Sequence, residues 1–222
     1  MERETKLWIL AAIFVGSVIA ANLMGNKIAA FGFFDSAVGI MVFPLSYLAM
    51  DVIQEVQGKQ TARRIVWAAM LVLAYVLVIT WISTSLPSAK RDFFPEEYEK
   101  IFGVSVRVML ASLIAFLVGE LADIEIFKKI KDFTKAKMLW LRATGSTIIS
   151  QFVDTTVFLF LAFYGITPKF DAWYILVLII PYWILKSCVA ILGTPLVYAG
   201  VRWVGYSKAS DNRPAQKSKN RQ

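Results

Sequence analysis

The sequence predicts an all-α membrane protein, a polytopic bundle of six transmembrane helices. Three observations lead there. Hydrophobic residues make up 58% of the 222, and charged residues only 18%, well under the quarter usual in soluble domains. Six apolar runs are long enough to cross a hydrocarbon core about 30 Å thick. Most Lys and Arg residues are grouped between those runs or after the last one, as in loops that set membrane orientation.

The first run, Leu7 to Met24, follows a short charged start and is long enough to stay as an anchor, with no small-residue cleavage site behind a short apolar core. Asn22 and Lys27 mark its far end, where the plainest role for Lys27 is snorkelling to the interface. The second run extends from Phe33 to Val56. Pro44 near its middle removes a backbone hydrogen bond and kinks a helix. Asp51 and Glu55, four apart on one face, repel each other unless a cation, a proton or a donor-rich ligand lies between them. Alternatively, Glu55 sits at the water-exposed rim against Arg63 or Arg64.

Gly58 to Arg64 reads as a short basic loop, and Ile65 to Thr84 as a scaffold span. Leu86 to Phe102 reads as a mixed-charge connector, with a lid or surface helix as the alternative. Val104 to Ala122 is the fourth span. Glu120, Asp123 and Glu125 at its end, with the lysines that follow, read as an interfacial ion-pair set near anionic headgroups.

The fifth span, Arg142 to Phe163, holds the sharpest signal. Thr147, Gln151 and Asp154 follow at spacings of four and three, which places them on one helical face. Asp154 lies about 18 Å along the helix from Arg142 at roughly 1.5 Å per residue, close to the midplane of the bilayer. A carboxylate there must face protein or water, so it is a functional candidate. After a tight turn at Gly165 to Asp171, the last run goes from Ala172 to about Val204. It is long enough to be tilted, kinked or interrupted at Pro181, Gly193 or Pro195. Lys186 within it needs a carboxylate or a cavity. Residues 1–206 thus form one transmembrane domain, and 207–222 a disordered basic tail.

Counting Lys and Arg on alternate sides puts both termini in the cytoplasm. Six spans split into two inverted halves of three, although the halves share no clear residue-level similarity.

Several chemistries are excluded. With no histidine and one cysteine, the chain has no His ligand for zinc, no His base for a triad and no internal disulfide. No cofactor or metal site is expected. No phosphate-binding glycine loop appears, and no nucleic-acid motif accompanies the net charge of +8. An intramembrane acid-base enzyme using Asp51 and Asp154 lacks any nucleophile-and-base motif.

The polar groups that remain, Asn22, Asp51, Gln151, Asp154 and Lys186, come from four helices and are expected at mid-depth or on its inner side. They can bind a solute, relay protons or lock the bundle. Interhelical polar contacts average under about 1 kcal/mol, too little to explain buried carboxylates and a lysine as a lock.

The stretches FPLSYLAMDVIQEVQGKQTARR, RATGSTIISQFVDTTVFLFLAF and LKSCVAILGTPLVY resemble the queuosine precursor transporter family, a prokaryotic group of six-helix membrane proteins once described as vitamin-uptake transporters. The resemblance covers roughly Leu7 to Tyr206. It implies uptake of 7-deazaguanine bases across the cytoplasmic (inner) membrane for tRNA modification. Family motifs fall on Asp51, Glu55, Arg142, Gln151, Asp154 and Lys186. Gln57 and Gly58 stand where the family often has Tyr-Gly. The family is similar in size and helix number to the substrate-binding subunits of energy-coupling-factor importers. That leaves the alternative of a capture subunit for a vitamin or nucleobase, driven by a separate ATPase.

The chemistry of such a base suits these residues. Its N1–H and exocyclic amine form a donor pair that one carboxylate accepts. Its acceptor edge calls for Lys186 or the Gln151 amide, and its face for an aromatic. Phe43, Tyr47, Phe152, Phe158, Tyr182 and Trp183 are the candidates. The expected partners are the small-molecule base and the lipid bilayer, with no nucleic acid. The sequence leaves a homodimer open.

Overall fold

A computed structural model describes residues 2–24, 27–30, 35–89, 91, 93–102, 106–165 and 171–205. The tail at 207–222 lies outside the described residues. Among the described residues seven helices appear in order: α1 (Arg3–Met24), α2 (Gly39–Gln57), α3 (Lys59–Ser85), α4 (Pro95–Phe102), α5 (Val106–Phe133), α6 (Leu139–Phe163) and α7 (Ala172–Val204). The only strands among the described residues are β1 (Ile28–Ala30) and β2 (Asp35–Ala37), paired antiparallel as a small hairpin between α1 and α2. The helix expected from Phe33 starts at Gly39, Phe33 itself lying outside the described residues.

Four helices are long and apolar enough to cross a membrane: α1, α3, α6 and α7. α2 and α5 are of similar length but carry internal charges, Asp51 and Glu55 in α2 and Arg107, Glu120, Asp123 and Glu125 in α5. Large apolar side chains such as Trp8, Leu71, Tyr75, Trp81 and Leu192 face outward, a pattern suited to lipid and unsuited to water.

α2 is the central element. Every residue from Met50 to Val56 is buried, because α1, α3 and α7 pack around it. Helices in lipid gain little from burying more apolar surface and associate through close fit at small residues. A Cβ on Gly200 would stand 2.6 Å from Val52 Cγ2, and one on Gly193 2.9 Å from Leu48 Cδ2. Those glycines let α7 lie directly against α2. The core joins Phe14 of α1, Met50 and Ile53 of α2, and Ile124 and Phe127 of α5.

Three expectations change at the helix ends. The basic loop at Gly58 to Arg64 reduces to Gly58 alone. Its positive φ of 79° reverses the chain while its N–H donates to Gln54 O at 2.9 Å, a role suited to glycine. The lysine-rich segment after Ala122 continues α5 to Phe133, held in part by Lys128 bonded to Asp132 one turn on at 2.8 Å. α7 is one continuous helix through Pro181 and Pro195. Its 33 residues run about 50 Å. Asp171 caps its first turn by accepting from the Tyr174 N–H at 2.7 Å. The connector after Ser85 contains α4, the surface-helix alternative.

Candidate functional site

The polar side chains of the bundle fall into two layers rather than one site. The upper layer is the floor of a cavity of about 430 Å³, lined by residues of α1, α2, α3, α5, α6 and α7. Lys186 Nζ donates to Asp154 Oδ2 at 2.9 Å and to Thr155 Oγ1 at 3.3 Å, and stands 5.3 Å from the centre of the Phe43 ring. Each charged side chain of the pair is about 15% exposed, to the cavity. Asn22 lies on the same wall, held by donation to Val18 O at 2.9 Å and acceptance from the Ser112 hydroxyl at 2.8 Å. Phe158 and Tyr182 are among its other aromatic lining residues, with Phe102, Phe116 and Phe163. α5 is drawn in close behind Asp154. A Cβ on Gly119 would meet the Asp154 Cβ at 2.9 Å.

The lower layer is dry and ion-paired. Arg142 holds Glu55 by a hydrogen bond from Nε to Oε2 at 2.9 Å and an ion-pair contact of Nη2 with Oε1 at 2.7 Å, while Lys131 Nζ approaches Oε2 at 3.5 Å. Both partners are buried, with side chains 3% and 1% exposed. Tyr47 donates to Gln151 Oε1 at 3.0 Å, Gln54 to Ile124 O at 2.8 Å, and Ser150 to Asp123 Oδ1 at 3.0 Å.

The eight expected site residues therefore separate. Asn22, Phe43, Asp154 and Lys186 share the cavity; Tyr47, Asp51, Glu55 and Gln151 lie in the layer beneath it. Glu55 is neither at a wet rim nor beside Arg63, because α2 is buried on all sides at that level. Arg63 instead joins Lys59 on Glu125.

Of the expected ion-pair set, Glu125 is paired, but with Lys59 and Arg63 of α3 rather than with the lysines that follow it, and the expectation is corrected for Glu120 and Asp123. Both are buried, facing the bundle. α5 does not end at its first acid, so residues three apart on it turn inward while Glu125 turns out. The aromatics Phe152 and Trp183 pack edge to face at 5.5 Å, with the Trp183 indole bonded to Ile148 O, outside the cavity lining. Sequence reasoning missed Thr155 and Ser112. A hydroxyl on an apolar helix carries too weak a signal to single out.

A helical bundle with four helices long and apolar enough to cross a membrane, a buried ion pair and a cavity floored by a second one defines a polytopic membrane protein. The chain belongs to the family described as putative vitamin uptake transporter, which matches residues 37–200. A "Probable queuosine precursor transporter" of Bacillus subtilis is 30% identical over 189 residues, covering 85% of this chain and 81% of the relative. The "Queuosine precursor transporter" of Escherichia coli is 28% identical over 141 residues, 63% of this chain and 60% of the relative. A third relative, from Haemophilus influenzae and also named "Probable queuosine precursor transporter", is 29% identical over 143 residues, 63% of this chain and 57% of its own length. No solved structure matches the chain.

Proposed function

We propose that the protein imports queuosine precursors, 7-deazaguanine bases, through six spans with both termini on the cytoplasmic side. The observation that carries this reading is the cavity of about 430 Å³ whose floor is the Lys186 and Asp154 pair under the Phe43 ring. Its volume is in the range of small-ligand sites. A guanine-like base seated there gives its N1–H and exocyclic amine to Asp154, takes a bond from Lys186 at its O6, and lays its face toward Phe43. The ion pair that closes the empty floor is opened by the same bonds.

The two helices with internal charges, α2 and α5, complete the six spans. Asp51, Glu55, Glu120 and Asp123 are turned into the bundle, as lipid requires. Lys and Arg residues gather at the ends that would face the cytoplasm, among them Arg3, Lys6, Lys59, Arg63, Lys128, Lys131 and Arg202, which supports the orientation. The relatives are named as transporters, so we assign neither a catalytic step nor a role as capture subunit for a separate ATPase. Site membership follows the same division: Asn22, Phe43, Asp154 and Lys186 touch the base, and Tyr47, Gln151, Asp51 and Glu55 position what touches it.

The test is uptake of 7-cyano-7-deazaguanine by proteoliposomes containing this chain alone. Saturable accumulation that guanine analogues compete away supports the reading. Absence of both uptake and binding by well-folded protein rejects it.

A further inference from the structure

Below the base cavity, α2, α6 and α7 enclose a second cavity of about 10 Å³, room for about one water-sized particle. Its polar lining comes from Tyr47, Asp51, Thr144, Thr147 and Thr194. The hydroxyl protons of these residues are already placed elsewhere. Thr147 donates to Ala143 O at 2.9 Å and Tyr47 to Gln151 Oε1 at 3.0 Å. Thr194 donates to Ala190 O at 3.2 Å, which leaves the Thr144 proton for the 2.6 Å bond between the two threonines. What the four oxygens can turn inward is lone pairs.

Asp51 adds a negative charge to this set. It is 3% exposed, and its Oδ1 has no hydrogen-bond partner among the described residues. A buried carboxylate in that condition is costly until something positive or donating reaches it. The nearby cations are committed: Arg142 and Lys131 to Glu55, and Lys186 to Asp154. The other charged groups facing this level, Glu120 and Asp123 of α5 and Glu55 of α2, are acids as well and offer Asp51 no counter-charge.

We propose that Asp51, with the hydroxyl oxygens of Thr144, Thr147, Thr194 and Tyr47, binds a sodium ion. Hard oxygen donors suit such a cation, and one carboxylate balances one charge. A divalent ion would gather more acids, and no group of three or more His, Cys, Asp or Glu able to hold a metal occurs among the described residues. Tyr47 links the site to the base cavity. Its partner Gln151 is one helical turn from Asp154 on α6, so the filled site fixes the segment that presents Asp154. This coupling rests on the transport reading; the sodium site does not.

The experiment follows thermal unfolding of the full chain in detergent, without base, as sodium replaces choline at constant pH and ionic strength. The expected result is a saturable rise in melting temperature that potassium does not reproduce. Asp51→Asn abolishes the rise, and Thr147→Val moves its midpoint to at least tenfold higher sodium. A parent protein indifferent to sodium overturns the site, as does a response that acidification reproduces and sodium does not, since Asp51 then takes a proton. If Asp51→Asn does not fold, Thr147→Val and Thr144→Val decide, and an unshifted midpoint in both overturns the site. Base binding is measured in parallel. Sodium-insensitive base binding overturns the coupling and leaves transport standing; a sodium response without base binding overturns transport and leaves the site standing.

Discussion

Lys186 on α7 and Asp154 on α6 meet at 2.9 Å on the floor of the large cavity, with no other acid paired to that lysine among the described residues. A buried pair that loses one member leaves an uncompensated charge, at a cost of about 3 to 5 kcal/mol when fully dry. Here cavity solvent screens part of that. Lys186→Met should therefore lower the melting temperature by an amount equivalent to about 1 to 3 kcal/mol. Adding Asp154→Asn should restore most of the loss without restoring uptake. A double-mutant cycle on purified protein checks this, and additive losses would mean that the two charges do not interact.

The drier pair responds more strongly. Arg142→Met strands Glu55, whose side chain is 1% exposed, and the loss should reach about 3 to 5 kcal/mol. Lys131 at 3.5 Å offers only a longer, single-point replacement. Thermal melts of Arg142→Met and Lys186→Met side by side settle the order, and an Arg142 variant as stable as the Lys186 variant contradicts the two-layer description.

How much of this was readable in advance depended on direction. The periodicity of Thr147, Gln151 and Asp154 located α6 and its polar face, because spacing along one helix is written in the chain. Which acid Lys186 would meet was not, since Asp51 and Asp154 are equivalent until the packing of α7 is known. Glu120 and Asp123 were misread for a related reason. A cluster of charge after an apolar run resembles a membrane exit, and only the continuation of α5 to Phe133 shows that these two acids stay inside. The separation of Tyr47 from Phe43 also escaped. Residues four apart share a face, yet Phe43 reaches the large cavity and Tyr47 the small one.

Glycine substitutions probe the close helix contacts. Gly119→Ala would place its methyl 2.9 Å from the Asp154 Cβ, so α5 and α6 must separate and carry Asp154 with them. The expected cost is about 1 to 3 kcal/mol with weaker base binding. Gly16→Ala on α1 meets nothing within 4 Å, and should instead leave the protein unchanged or stabilise it by about 0.5 to 1 kcal/mol through helix propensity. Equal effects of the two variants in thermal melts would sink the close-contact argument.

The last prediction concerns recognition rather than stability. Asp154→Asn keeps the shape of the side chain but replaces one acceptor oxygen with an NH₂ donor. A 7-deazaguanine base then loses one charge-assisted bond and faces a donor with a donor. Affinity should fall by about ten- to a hundredfold, or about 1.5 to 3 kcal/mol. The same change should treat an adenine-like base differently. Its N1 accepts and its amine donates, which matches the carboxamide, so the preference for 7-deazaguanine over 7-deazaadenine should narrow or reverse. A general disturbance of the cavity would weaken both bases alike, and binding isotherms for the two on parent and variant separate these outcomes. If Asp154→Asn folds and binds 7-deazaguanine as the parent does, the carboxylate is not the group that reads the base.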